Sequence, residues 1–179
     1  MTLEQRIEQE KIGRQDLRGD PITGDRYYSR EFAAKEWEHV FTRTWQIGGM
    51  SAQLAKPGSV ITQAIGQESI LMISDEDGTI RAFYNVCPHR GNRLVAEEEK
   101  CGVRRMVCAY HSWTFSADGM VRHVRDPEDY PQGNPVGKLK LKEIRCETLG
   151  GMVWFNMDPN APSLRDSLGT VAEQFEAYQ

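Results

Sequence analysis

Two short stretches, Cys87-Pro88-His89 and Cys108-Ala109-Tyr110-His111, each pair a thiol with an imidazole, and 18 residues separate His89 from Cys108. Four metal-ligating side chains in two tight clips constrain a fold more than any apolar run does, because the clips must meet if they serve one centre. Each clip follows a strand-like stretch, Thr79–Val86 and Val103–Ala109. The two loops converge if those strands end at the same edge of a sheet. The chain has 4 cysteines in 179 residues, too few for a disulfide scaffold.

The surrounding texture agrees with a sheet. From Pro57-Gly58 onward the chain reads as short strands separated by turn residues: Ser59–Ile65, Ser69–Ser74, Thr79–Val86, Val103–Ala109, Trp113–Ser116, Met120–His123, Leu139–Thr148 and Met152–Met157. Asp77-Gly78, Asp118-Gly119 and Gly150-Gly151 supply the turns. The expected fold class is mainly β, a small antiparallel sandwich or barrel, with an N-terminal helix and the start of a C-terminal one. Residues 1–20 form a charged arm. Ser29 is placed to cap a helix over Arg30–Thr44 whose stripe Ala33, Trp37, Val40, Phe41 and Thr44/Trp45 is assigned to the core, with Gly48-Gly49 as its stop. Beyond Pro162 the helical period returns at Leu164, Leu168, Val171 and Phe175 and runs to Gln179. The expected division is 1–45 arm and helix, 46–160 the domain with the clips, and 161–179 the start of a connecting helix.

Charge and apolar runs exclude other classes. The net charge of -4 argues against a general nucleic-acid binder. Ile70-Leu71-Met72-Ile73 falls far short of the roughly 20 apolar residues that span a bilayer. The polar N-terminus is no secretory signal, so a cytoplasmic location without membrane attachment is expected. From Cys87 to Arg125 seven basic residues stand against four acidic ones, a local +3 that suits docking of an acidic partner or equally a solvated face.

Two sulfurs and two nitrogens admit two centres. A structural zinc takes such a set, usually as a close cysteine pair followed by a close histidine pair. Here each loop holds one of each, which suits a dinuclear centre with thiolates on one iron and imidazoles on the other. Cys87-Pro88-His89-Arg90-Gly91 together with Cys108-Ala109-Tyr110-His111-Ser112-Trp113 resembles the Rieske signature of ring-hydroxylating and related non-haem iron oxygenases. The likeness extends to Glu38–Trp45, Phe83-Tyr84-Asn85-Val86 and Gly150–Asp158. It implies a [2Fe–2S] cluster with Cys87 and Cys108 on the inner iron and His89 and His111 on the outer. Trp113 and Pro88 would shield the cluster. Cys101 and Cys146 are left as free, partly buried thiols.

The same resemblance implies a role and what the chain lacks. Such a domain takes electrons from a ferredoxin or NAD(P)H-dependent reductase. It relays them, through His111 by position, to a mononuclear Fe(II) in the catalytic domain of its own or a neighbouring subunit of a homo-oligomer, expected to be a trimer. Only His39 and His123 remain outside the clips, 84 residues apart, so no 2-His-1-carboxylate site is expected here. The expected identity is the N-terminal Rieske domain of an oxygenase large subunit, with aromatic compounds the commonest substrates of that family and quaternary amines among the alternatives. A stand-alone ferredoxin-like carrier and a zinc-stabilised binding domain are the other readings. Respiratory Rieske proteins carry a loop-to-loop disulfide where this chain has Asn92 and Tyr110, and a serine donor where it has Trp113. Loss of that donor implies a potential of roughly -150 mV.

Overall fold

The computed structural model describes Gln5, residues 23–96, 99–100 and 102–177, and divides at Lys35/Glu36 into two compact units. In the first unit a 3-10 turn at Gly24–Tyr27 precedes helix α1 (Arg30–Glu36). Ser29 caps it as expected, its Oγ accepting from the Phe32 N–H at 3.2 Å. The Lys35–Glu31 pair decorates its exposed face.

The helix is much shorter than the spacing predicts. Its α-helical part ends at Glu36, and Trp37–Phe41 widen into a π turn. Val40, Phe41, Thr42 and Thr44 are weak helix formers. The hydroxyls of Thr42 and Thr44 bond back to the Glu38 and Val40 carbonyls, which favours ending the helix here. The stripe is not core either: Ala33 is exposed, Val40 is 46% and Phe41 40% exposed, and Trp37 and Trp45 are half-buried. Gly48-Gly49 does not stop a helix but lies within strand β1 (Gln46–Met50). A Cβ on Gly48 would fall 2.3 Å from the Met72 sulfur and one on Gly49 2.6 Å from Ile61, so the two glycines let β1 press against the sheet's interior.

Nine further strands complete the second unit: β2 (Val60–Ile65), β3 (Glu68–Ser74), β4 (Ile80–Tyr84), β5 (Glu99–Lys100), β6 (Met106–Val107), β7 (Thr114–Phe115), β8 (Val121–His123), β9 (Glu143–Leu149) and β10 (Met152–Asn156). One sheet runs β1-β10-β9-β4-β3-β2-β5 with every pairing antiparallel, and a small second sheet runs β6-β7-β8. The mainly antiparallel fold class is thus observed. All three turns fall where expected, between β3 and β4, β7 and β8, and β9 and β10.

Alternation places the core. Along β3, Ile70 and Met72 join Leu54, Ile61, Ala82, Ile144, Val153 and Phe155 on one face. Leu71 and Ile73 join Val60, Phe83, Met106, Trp113, Phe115 and Val121 on the other, together with Cys87 and Cys108. Both faces of β3 are therefore covered, and the clip cysteines are rooted in the core between the two sheets. At the C-terminal end the single period resolves into α2 (Leu164–Leu168) and α3 (Val171–Glu176), broken at Gly169. Leu164 and Ala172 are buried, and Phe175 packs edge-on against Trp154 at 5.5 Å.

Candidate metal centre

The two clips are built alike. In the first, Cys87 N–H donates to the Asn92 carbonyl at 2.8 Å, and Gly91 N–H donates back to the Cys87 carbonyl at 2.9 Å. In the second, Cys108 N–H donates to the Trp113 carbonyl at 2.8 Å, and Ser112 N–H to the Cys108 carbonyl at 2.9 Å. The fourth residue after each cysteine is left-handed, Gly91 at φ 71° and Ser112 at φ 60°. Each cysteine thus heads a closed turn with its histidine on the bend, two positions on in the first loop and three in the second. Nothing lies within 4 Å of a Cβ placed on Gly91, so Gly91→Ala isolates the backbone cost. Its folding stability is expected to fall by about 1–2 kcal/mol in thermal or urea unfolding; a loss below about 0.5 kcal/mol would contradict the left-handed turn.

The structure brings the expected residues together as two pairs, Cys87 with Cys108 and His89 with His111. Cys87 and Cys108 are 1% and 2% exposed, free, and close enough to interact with each other. The His89 and His111 rings meet edge-on with centroids 4.7 Å apart at 71°. Burial pushes the Cys87 thiol up to about 11, and its proximity to Cys108 adds to this, while the backbone N–H groups of His89 and Arg90 act in the opposite direction. Burial, then the neighbouring His111 and Arg90, holds His89 below the usual imidazole range, which favours the neutral form a metal binds.

The residues fit a two-metal centre on the structure's own terms. His111 Nδ1 is buried with no hydrogen-bond partner, an orphaned ring nitrogen of the kind a metal satisfies. Among the described residues no three His, Cys, Asp or Glu side chains converge as a group able to hold one ion. The four residues instead form two like pairs, Cys87 with Cys108 and His89 with His111, and a donor set split into a sulfur pair and a nitrogen pair suits two metals.

Aromatic groups frame the imidazoles. Trp113 is buried and stacks parallel on His89 at 5.0 Å and 3°, and its Nε1–H donates to the Tyr130 hydroxyl at 2.8 Å. Tyr110 lies 3.9 Å from His111. Trp113 thus covers one face of the His89 ring, and Pro88 is exposed. A shallow cleft over the histidines is lined by Tyr110, Arg125, Asp126, Asp129 and Tyr130. Cys146 is half-buried away from the clips, its thiol pushed up to about 12 by burial and then by Glu147 and Glu143. Cys101 lies outside the described residues, and His39 and His123 are exposed.

Asn85 is the functional residue that sequence reasoning passed over. It is 3% exposed, and its side-chain N–H groups donate to Ser69 Oγ at 3.1 Å and the Val95 carbonyl at 2.7 Å. Its Oδ1 accepts from Leu94 N–H at 3.1 Å and Val95 N–H at 3.0 Å. One buried amide thus pins both ends of the first clip to the sheet. Its partners, Ser69, Leu94 and Val95, all lie 9 or more positions away, so no short-range pattern in the sequence marks it.

An antiparallel domain that roots two cysteine–histidine turns in its core and brings their imidazoles together defines an iron–sulfur protein of the two-histidine kind. The Rieske [2Fe-2S] domain family matches residues 44–146, more than half of the chain, and the chain belongs to it. It is 39% identical over 154 residues to the carnitine monooxygenase oxygenase subunit of Escherichia coli K12, covering 85% of this chain and 41% of that protein. It is 33% identical over 143 residues to the glycine betaine monooxygenase oxygenase subunit of Pseudomonas aeruginosa UCBPP-PA14, covering 80% of this chain and 33% of that protein. Its fold is similar to the crystal structure of the quaternary ammonium Rieske monooxygenase CntA with gamma-butyrobetaine, at TM-score 0.78 and 32% identity over 84% of this chain and 42% of that one. Naphthalene 1,2-dioxygenase with bound indole matches at TM-score 0.74 and 34% identity over 82% of this chain and 33% of that one. The chain thus spans about two fifths or less of these relatives. Among the described residues no helix is long and apolar enough to cross a membrane.

Proposed function

We propose that this chain is the electron-transfer domain of a Rieske non-haem iron oxygenase, with Cys87 and Cys108 holding the inner iron of a [2Fe–2S] centre and His89 and His111 the outer. The observation that carries the reading is the convergence of two backbone-matched turns, each headed by a buried cysteine, that set two imidazoles 4.7 Å apart. A bound [2Fe–2S] centre supplies one-electron storage at a potential raised by its two neutral imidazole ligands. The chain's own residues prepare the place for it. The buried thiols, reluctant to ionise alone, would bind the metal as thiolates, their protons released to solvent. Trp113 fixes the His89 ring and keeps water from its face, and the left-handed turns at Gly91 and Ser112 hold each cysteine at a fixed depth.

The domain accepts electrons from a ferredoxin or an NAD(P)H-dependent reductase drawn to the basic segment around the clips. It passes them, with His111 as the exit, to a mononuclear iron in a catalytic domain of its own or a neighbouring subunit of a homotrimer, for O2-dependent hydroxylation. Residues 1–45 serve as arm and helix, 46–160 as the cluster domain and 161–179 as the link onward. The likeness to carnitine and glycine betaine monooxygenases favours a quaternary ammonium substrate for the whole oxygenase over the aromatic hydrocarbons that the family signature alone brings to mind.

His111→Cys tests the assignment. The variant is expected to keep a cluster whose midpoint moves from the Rieske range toward the plant-type value of about -400 mV. Delivery of electrons to the catalytic iron in the complete oxygenase is expected to fall with it. A redox titration showing an unchanged midpoint would remove His111 from the ligand set.

A further inference from the structure

We propose that the side-chain amide of Asn92 ties the two clips together and raises the reduction potential of the centre they hold; this rests on the assignment of Cys108 as a ligand. Asn92 closes the first turn, its carbonyl accepting from Cys87 N–H at 2.8 Å. Its Nδ2 donates one proton to the Arg93 carbonyl at 2.8 Å and turns the other toward Cys108 Sγ, in the opposite clip, at 3.7 Å. The amide has only one sensible orientation, since a reversed group would set Oδ1 against a carbonyl oxygen and a sulfur lone pair. Asn92 is thereby bonded to both cysteines, to one through its backbone and to the other through its side chain.

The side-chain amide is thus a noncovalent tie from one clip to the cysteine sulfur of the other. That contact reaches a ligand sulfur. A donor aimed at a thiolate stabilises it more as its negative charge grows, so the reduced centre gains more than the oxidised one. Asn92 therefore supplies a donor of the kind whose loss at Trp113 lowered the potential expected from sequence.

The test uses Asn92→Leu and Asn92→Asp beside the parent chain, with iron and sulfide content, the EPR spectrum of the reduced protein and a redox titration. Leucine keeps the bulk and removes the donor. Aspartate keeps the shape, removes the donor and adds a negative charge beside the sulfur. Both variants are expected to retain the Rieske-type signal. The equilibrium constant for reduction is expected to fall about three- to tenfold in Asn92→Leu and further in Asn92→Asp. A tenfold fall corresponds to about 59 mV for a one-electron couple. Constants within twofold of the parent in both variants overturn the proposal. If the variants lose the cluster, pulsed EPR on the reduced parent chain, with asparagine labelled with nitrogen-15 only at the side-chain amide, decides: a coupling to the cluster supports the contact, and its absence overturns it. A parent without a Rieske-type signal overturns the ligand assignment itself, a failure distinct from an unchanged potential.

Discussion

Asn85→Leu is expected to lower folding stability by about 3–5 kcal/mol and to leave a chain that retains little iron. The replacement removes an amide that makes four hydrogen bonds and strands the N–H groups of Leu94 and Val95 and the carbonyl of Val95 in the interior. Each unsatisfied buried backbone group costs about 1–3 kcal/mol, and the three are neighbours whose costs overlap rather than add. Against a typical total of about 5–15 kcal/mol this is a large fraction. At about 2–4 °C per kcal/mol for a chain of this size, the thermal midpoint is expected to fall by about 6–20 °C. Asn156→Leu is the control. That asparagine is equally buried and bonds to the Arg43 carbonyl and the Asp158 N–H, remote from the clips. It is expected to destabilise without lowering the iron held per folded chain. Should Asn85→Leu keep its iron and melt within about 2 °C of the parent, the bonds to Leu94 and Val95 do not hold the first clip.

What the sequence disclosed and what it hid follow from the range of the interactions involved. The clips were legible because each is a six-residue turn whose ligands, closing hydrogen bonds and left-handed residue all lie within it. The hairpins were legible for the same reason, through Asp-Gly and Gly-Gly pairs at their bends. Contacts made at a distance were not. β1 was missed because two glycines read as a helix stop, and only the approach of Met72 and Ile61 from other strands explains them. The stripe from Trp37 to Trp45 has helical spacing, yet spacing does not reveal that Val40 and Phe41 stay exposed. Asn85 and Asn92 act through partners in other segments, Ser69 for one and Cys108 for the other, so neither shows a local pattern. The framework of the site was therefore local, and the residues that hold its parts in register were not.

Cys108→Ser is expected to reduce the bound metal from about two irons and two sulfides per chain to background. The reason is structural as well as chemical. Cys108 heads the second turn, lies in the core beside Cys87 and is 2% exposed, so no solvent-facing residue replaces it. A serine hydroxyl is far harder to ionise than a thiol and is a poorer partner for iron. The same loss is expected for Cys87→Ser, because the two cysteines lie together in the core and neither alone holds the inner metal. Cys146→Ser, His39→Ala and His123→Ala are expected to keep full iron and sulfide: Cys146 is remote from the clips, with its thiol pushed up to about 12, and both histidines are exposed. The parent chain, purified anaerobically and assayed for iron, sulfide and zinc, sets the reference. One zinc and no sulfide per chain would mean that a single tetrahedral ion is held after all, against the proposed two-iron centre. Iron and sulfide retained in Cys108→Ser would mean that the second clip closes its turn for a structural purpose alone.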